Sequence, residues 1–420
     1  AIEGGALGGQ RTADQVAAMT TAQIRAMEVA DVAALSTARI AALDAGQLGA
    51  LTSAQLAGMT TAQIQAIDDD NIPLLSASAI AGLTPAQIRA LSDDQLVKLT
   101  TAQAAVLKAT QLTALTTAQV AALETEDLAA ISAAVISGLT SAQVAALTDA
   151  QLQALTTAQI ARLDTADLQG LSTADVALLS AAQIGALTVA QISSLSTAQV
   201  NAIDAGDLAG LSTAAIKVMS AAQIAALSET QLAALSTAQV AAIDAIDLRG
   251  LSSAQLNALD LQQVTALSSA QVAALTPAQI AALDDTQFAA LTAQAIRGLS
   301  AAQMARLTTD QIQALTTLQA AALSSSQVAA LTTAQTVALE TADLIALSTA
   351  AIAGMTSAQV ASLGISQVQS LTNAQVSAIE TADIRALTTA QVAALTASQI
   401  EVLTIPQLVA MTTAQIAALS

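Results

Sequence analysis

The side chains of this sequence that could act on another molecule are carboxylates, and two groupings have suggestive spacing. Asp68, Asp69, Asp70 and Asn71 are consecutive. Together they could supply part of the set of oxygens that calcium requires. The plainer alternative is a solvated acidic helix start, whose carboxylates satisfy free amides and favour the helix dipole. Asp164 and Asp167, three positions apart, have the residue types of a paired-carboxylate hydrolase. The same pair returns at Asp204 and Asp207, which fits a recurring structural device better than a single active site. Other chemistries lack their residues. Without His, Cys, Tyr or Trp there is no histidine-based triad, thiol nucleophile, zinc site of the usual kind or aromatic platform for bases and sugars. The expectation is no enzymatic activity, no catalytic residue and no cofactor, with calcium at residues 68–71 as the one candidate.

The elements that hold these carboxylates are announced by an eight-residue phrase. Its clean form is Leu115-Thr116-Thr117-Ala118-Gln119-Val120-Ala121-Ala122, and it runs without insertion from Arg11 to Ala418, as 51 octads. Positions 1 to 8 read Leu, Ser or Thr, any, Ala, Gln, an aliphatic residue, any, any. Position 2 and the Gln three places later form a capping box: the hydroxyl of Thr116 can accept from the amide of Gln119, whose side chain can reach back to the amide of Thr116. Pro85 and Pro277 sit at position 3, the first helical position, where no amide hydrogen is needed. Acids gather at positions 2 to 5, as at Glu124 and Asp127. Bases gather at positions 7 and 8, as at Arg25, Lys98 and Arg385. That polarity matches a helix dipole renewed in every octad.

Geometry separates three readings. In one continuous helix an octad would advance its apolar positions by about 80°, so position 1 would wind around the axis instead of forming a stripe. In a strand, positions 1 and 6 would face opposite ways, and Ala and Gln are poor strand residues. A chain of helices about six or seven residues long, each ended by the next cap, remains. Such helices are too short to persist alone and must stack. Leu at position 1 and the aliphatic residue at position 6 are the expected core, with Ala at positions 4 and 8 buried beside them. The expected fold is all-α: a superhelical solenoid of very short helices, one per octad, spanning residues 11–420 as one array. Residues 1–10, with Gly4, Gly5, Gly8 and Gly9, read as a Gly-rich linker or a degenerate repeat.

A slower rhythm overlies the octads. Units with an acid at position 2 and usually Asp at position 5 begin at Met27, Ile67, Leu123, Leu163, Ile203, Ile243, Leu283, Leu339 and Ile379, in steps of five octads with two steps of seven. If five octads made one turn, these acids would align in a stripe. The unit after an acidic one often ends in Gly, as at Gly82, Gly138, Gly298 and Gly354. Pro73, at position 7, should cut its helix short.

Composition narrows the function. The net charge of −19 repels nucleic acid and favours solubility. Mean hydropathy is high, but Ser, Thr, Gln or Asp interrupts nearly every octad, so no membrane span is expected. Absence of Cys leaves the redox compartment unread. Neither end shows an evident polar capping repeat or leader, so the array is expected either to continue in a longer protein or to meet other copies of itself.

Two resemblances follow from these residues. Leu83-Thr84-Pro85-Ala86-Gln87-Ile88 and Leu275-Thr276-Pro277-Ala278-Gln279-Ile280 look like the helix opening of transcription activator-like effector repeats, a shared cap without the base-reading loop. Over residues 11–418 the array resembles the Ala-, Thr- and Gln-rich short-repeat regions of very large bacterial secreted or cell-surface proteins. That likeness implies an extracellular filament, spacer or adhesin stalk. The resulting expectation is a non-enzymatic filament or surface stalk that associates with itself. The alternative is a solenoid scaffold that binds a peptide or protein.

Overall fold

The structure is a computed structural model that describes residues 13–419, so the expected linker at residues 1–10 lies outside the described residues. Among the described residues, forty-eight α-helices and three short 3-10 helices, at Asp69–Leu74, Asp207–Gly210 and Asp247–Gly250, supply one element for each octad. The α-helices are one turn or little more, shorter than expected, because positions 1 and 2 are both extended. Leu123 has φ −63° and ψ 138°, and Thr116 has φ −73° and ψ 163°. Position 1 closes one helix, with the Leu123 amide donating to the Val120 carbonyl at 3.2 Å, and position 2 caps the next. Pro85 and Pro277 occupy first-turn positions as the frame requires. Pro73 sits inside the 3-10 helix Asp69–Leu74, where its missing amide removes the bond an α-turn would need.

Contacts divide the chain into two compact units, with the boundary after Leu211. One stacking rule operates within each. In the first unit Ser141–Val144 packs on Thr165–Gly170, and in the second Ser357–Ser362 packs on Thr381–Ala386, each pair three octads apart. Glutamine side chains reach back 28 and 31 residues, as from Gln151 to Leu123 and Val120. One turn therefore takes between three and four octads, and not the five that the spacing of the acids left open. The slower rhythm belongs to the sequence and is not the pitch of the coil. A step of seven octads amounts to two such turns, but a step of five does not, so acidic octads within a unit do not line up in one stripe.

Positions 1 and 6 form the core as expected: Leu115 is 4% exposed and Val120 fully buried. The third buried position is Gln at position 5, with Gln119 6% exposed. Ala118 at position 4 is exposed and Ala122 at position 8 half-buried, so the expected alanine core is replaced by a line of amides. Position 8 is where neighbouring helices come closest. A Cβ on Gly298 would stand 2.2 Å from the Ser269 carbonyl oxygen, and one on Gly354 would stand 2.6 Å from the Ser325 Cβ. That close approach accounts for glycine at the ends of these octads.

Candidate functional site

The side chain that joins most of this molecule together is the position-5 glutamine, which makes two sets of bonds. Its Oε1 completes the capping box, accepting from the Thr148 amide at 3.0 Å in the octad of Gln151, while the Gln151 amide donates to Thr148 Oγ1 at 3.3 Å. Its Nε2 donates to main-chain carbonyls one turn earlier, Val120 at 2.8 Å and Leu123 at 2.7 Å. The second unit repeats the geometry: Gln303 Nε2 meets the Val272 and Leu275 carbonyls at 2.9 and 2.8 Å. These carbonyls sit at helix ends, where the position-6 carbonyl accepts one main-chain amide, as Val120 does from Leu123, and has a second lone pair to offer. A primary amide can accept from the cap and donate to the preceding turn together, with two N–H groups for the two carbonyls. Sequence reasoning identified the first role and missed the second. The available signal was that Gln, not Glu, fills a capping position that either residue would satisfy.

The acidic octads break this ladder. Asp127, Asp167, Asp343 and Asp383 take the glutamine's place and are buried, at 3, 3, 2 and 5% exposure. A carboxylate accepts but cannot donate. Two of the four find a hydroxyl in the helix three octads earlier: Ser141 donates to Asp167 Oδ1 at 2.9 Å, and Ser357 donates to Asp383 Oδ1 at 2.5 Å. Asp167 Oδ2 also accepts from the Asp164 amide at 2.9 Å. At the equivalent positions Asp127 and Asp343 have Thr101 and Thr317, and their Oδ2 atoms are buried with no hydrogen-bond partner. Burial, reinforced by Glu124 and Glu126, pushes the Asp127 carboxyl up to about 6. Burial and then Glu340 do the same for Asp343, also to about 6. Asp247 is raised by burial and by Asp244. Asp284 moves the other way, held below the usual range by the Thr286 hydroxyl and the Gln287 amide.

The calcium candidates are placed on a helix start. Asp68 accepts from the Asp70 amide at 3.1 Å, and Asp70 takes the Lys98 ammonium at 2.6 Å, which raises the lysine above its ordinary range. Asn71 donates its amide to the Asp68 carbonyl. Among the described residues no group of three or more His, Cys, Asp or Glu side chains could hold a metal ion. Asp164 and Asp167 come together through the backbone amide of the one and the carboxylate of the other, an arrangement that caps a helix. Among the described residues no helix is long and apolar enough to cross a membrane. The arrangement's chemistry is recognition of main chain by side-chain amide, repeated turn after turn.

The comparisons with known proteins address this same pattern. No curated protein matches the chain. The family model of the ALTTAQ repeat matches nine times, at residues 24–61, 40–77, 120–157, 160–197, 200–237, 240–277, 280–317, 336–373 and 376–413, together more than half of the sequence. From residue 120 these matches step by five octads, with one step of seven, and each begins three places before an acidic octad. The acid-bearing rhythm is thus the family's own period, and it runs against a structural turn of between three and four octads. On the strength of those nine matches, the chain belongs to the ALTTAQ repeat family.

Proposed function

We propose that this protein is a non-enzymatic structural repeat protein that forms an extracellular filament or cell-surface stalk by stacking turns of octads against other copies of itself. The observation that carries the reading is that the contact between turns is addressed to main-chain carbonyls, as at Gln151 and Gln303. Any turn of octads offers the acceptors that any other turn's glutamines need. A donor face and an acceptor face on opposite sides of a turn make a heterologous contact, the kind that propagates into fibres. The net charge of −19 keeps an alanine-rich surface soluble and disfavours nucleic acid as a partner. The resemblance to short-repeat regions of bacterial surface proteins supports the location.

One observation favours a second reading, a solenoid that binds a protein or peptide. Leu318, Ile345 and Ile365 are 76, 44 and 43% exposed and lie on three helices that pack in succession in the second unit, which offers a partner exposed apolar side chains. Sedimentation and negative-stain imaging of the purified chain separate the two. The filament reading expects fibres whose length grows with concentration. Compact particles at every concentration would refute it.

A further inference from the structure

Two octads in this ladder are built around a proton and not around an amide. Asp127 and Asp343 are buried at the glutamine position, each with one carboxyl oxygen lacking any partner. A neutral carboxyl, like a primary amide, can accept and donate at once, with one O–H in place of the amide's two N–H groups, whereas an ionised carboxyl only accepts. The carbonyls that a glutamine here would engage, by the register of Gln151, belong to Leu99 and Leu96 for Asp127 and to Leu315 and Ile312 for Asp343.

We propose that the octads of Asp127 and Asp343 are proton-operated joints: with the carboxyl neutral each octad seats on the preceding turn as a glutamine octad does, and with the carboxyl ionised that contact opens. The surroundings hold nothing that would neutralise the charge in another way. Asp127 lies in Thr125–Ala130, which packs on Thr101–Ala104, a helix without ionisable groups, and on Asp149–Ala154, which brings only Asp149. Its own octad adds Glu124 and Glu126. In the octad one turn back, Asp93 and Asp94 are further acids and Lys98 is held by Asp70. Asp343 lies in Thr341–Ala346, which packs on Thr317–Ala322 and Ile365–Ser370, neither carrying a charge. Glu340 in its own octad and Asp310 one turn back are both acids. The raised carboxyl ranges of both residues agree with the geometry. Asp167 and Asp383, with their serine donors, are the internal controls.

The sign is fixed by the direction of the shift. An acid raised on folding favours the folded state fully below its ordinary value near 3.8, and this contribution is lost as pH rises through about 6. The test is carboxyl-carbon NMR of the full chain with labelled aspartate, combined with amide exchange. Asp127 and Asp343 are expected to titrate near pH 6. Exchange in Thr125–Ala130 and Thr341–Ala346, corrected for the intrinsic rate, should rise roughly tenfold per unit of carboxyl shift across that range, with no such rise in Thr165–Gly170 and Thr381–Ala386. Asp127→Gln and Asp343→Gln should each abolish the rise in their own octad. Should either variant fail to fold, titration and exchange of the unaltered chain still decide. Ordinary midpoints for both residues, or exchange that is equal above and below pH 6, would overturn the proposal.

Discussion

The octads that carry glutamine at position 5 and those that carry aspartate share a frame and differ in what joins them to the turn before. Gln151 places its Nε2 between two carbonyls and leaves its Oε1 for the cap. Asp127 and Asp343, in the same place, leave an oxygen buried and unpartnered. Two of the three described 3-10 helices, Asp207–Gly210 and Asp247–Gly250, also start on a position-5 aspartate. The difference lies in the side-chain donor and not in the apolar surface, since positions 1 and 6 are buried in both kinds of octad.

The sharpest way to break this comparison is to turn one kind of octad into the other. Gln151→Glu keeps the cap acceptor but faces the Val120 and Leu123 carbonyls with a buried charge. It is expected to destabilise that region by about 3–5 kcal/mol, the scale for an unpaired buried charge, measured as amide exchange in Asp149–Ala154 and its stacked neighbours. The reverse change should help: Asp127→Gln and Asp343→Gln are each expected to gain about 1–3 kcal/mol at neutral pH, because each replaces a buried carboxyl that has an unpartnered oxygen with a side-chain amide that can donate to the preceding turn. In the unaltered chain, acidification from neutrality through pH 6 and on toward 3.8 should recover about 1–2 kcal/mol at each site after allowance for solvent screening. A denaturant series across pH, run beside the glutamine variants, would show the gain disappear in the variants. The smallest change sharpens the contrast among the acids. Ser141→Ala and Ser357→Ala remove the hydroxyls from Asp167 and Asp383, at about 1 kcal/mol each, read as amide exchange in Thr165–Gly170 and Thr381–Ala386.

Much of the frame was legible in the sequence because capping is a local matter. Thr116 and Gln119 are three places apart, and their mutual bonds need no knowledge of the rest of the chain. Pro85 and Pro277 fixed the phase for the same reason. The length of a turn was not legible. The visible long period came from acids spaced by five octads, and those acids do not define the coil. The partner of the glutamine Nε2 is a main-chain carbonyl, which leaves no trace in side-chain identity. The burial of position 4 was misjudged in Ala118 because alanine is equally at home in a core and on a helix surface. At the candidate sites, residue type suggested calcium at Asp68 to Asn71, while the contact of Asp70 with Lys98, one turn further along the chain, depended on the turn length. The orphaned oxygens of Asp127 and Asp343 lie across from Thr101 and Thr317, where Asp167 and Asp383 meet Ser141 and Ser357, a pairing invisible until the stacking register is known.

The central claim is that glutamine side-chain amides clamp each turn to the one before. Site-resolved exchange of the Nε2 protons tests it most directly. Protons on buried Gln151 and Gln303 should be protected nearly as well as the backbone amides of their own helices, while those on exposed Gln23 should exchange at the rate of a free side chain. Fast exchange at Gln151 and Gln303, indistinguishable from Gln23, would contradict it.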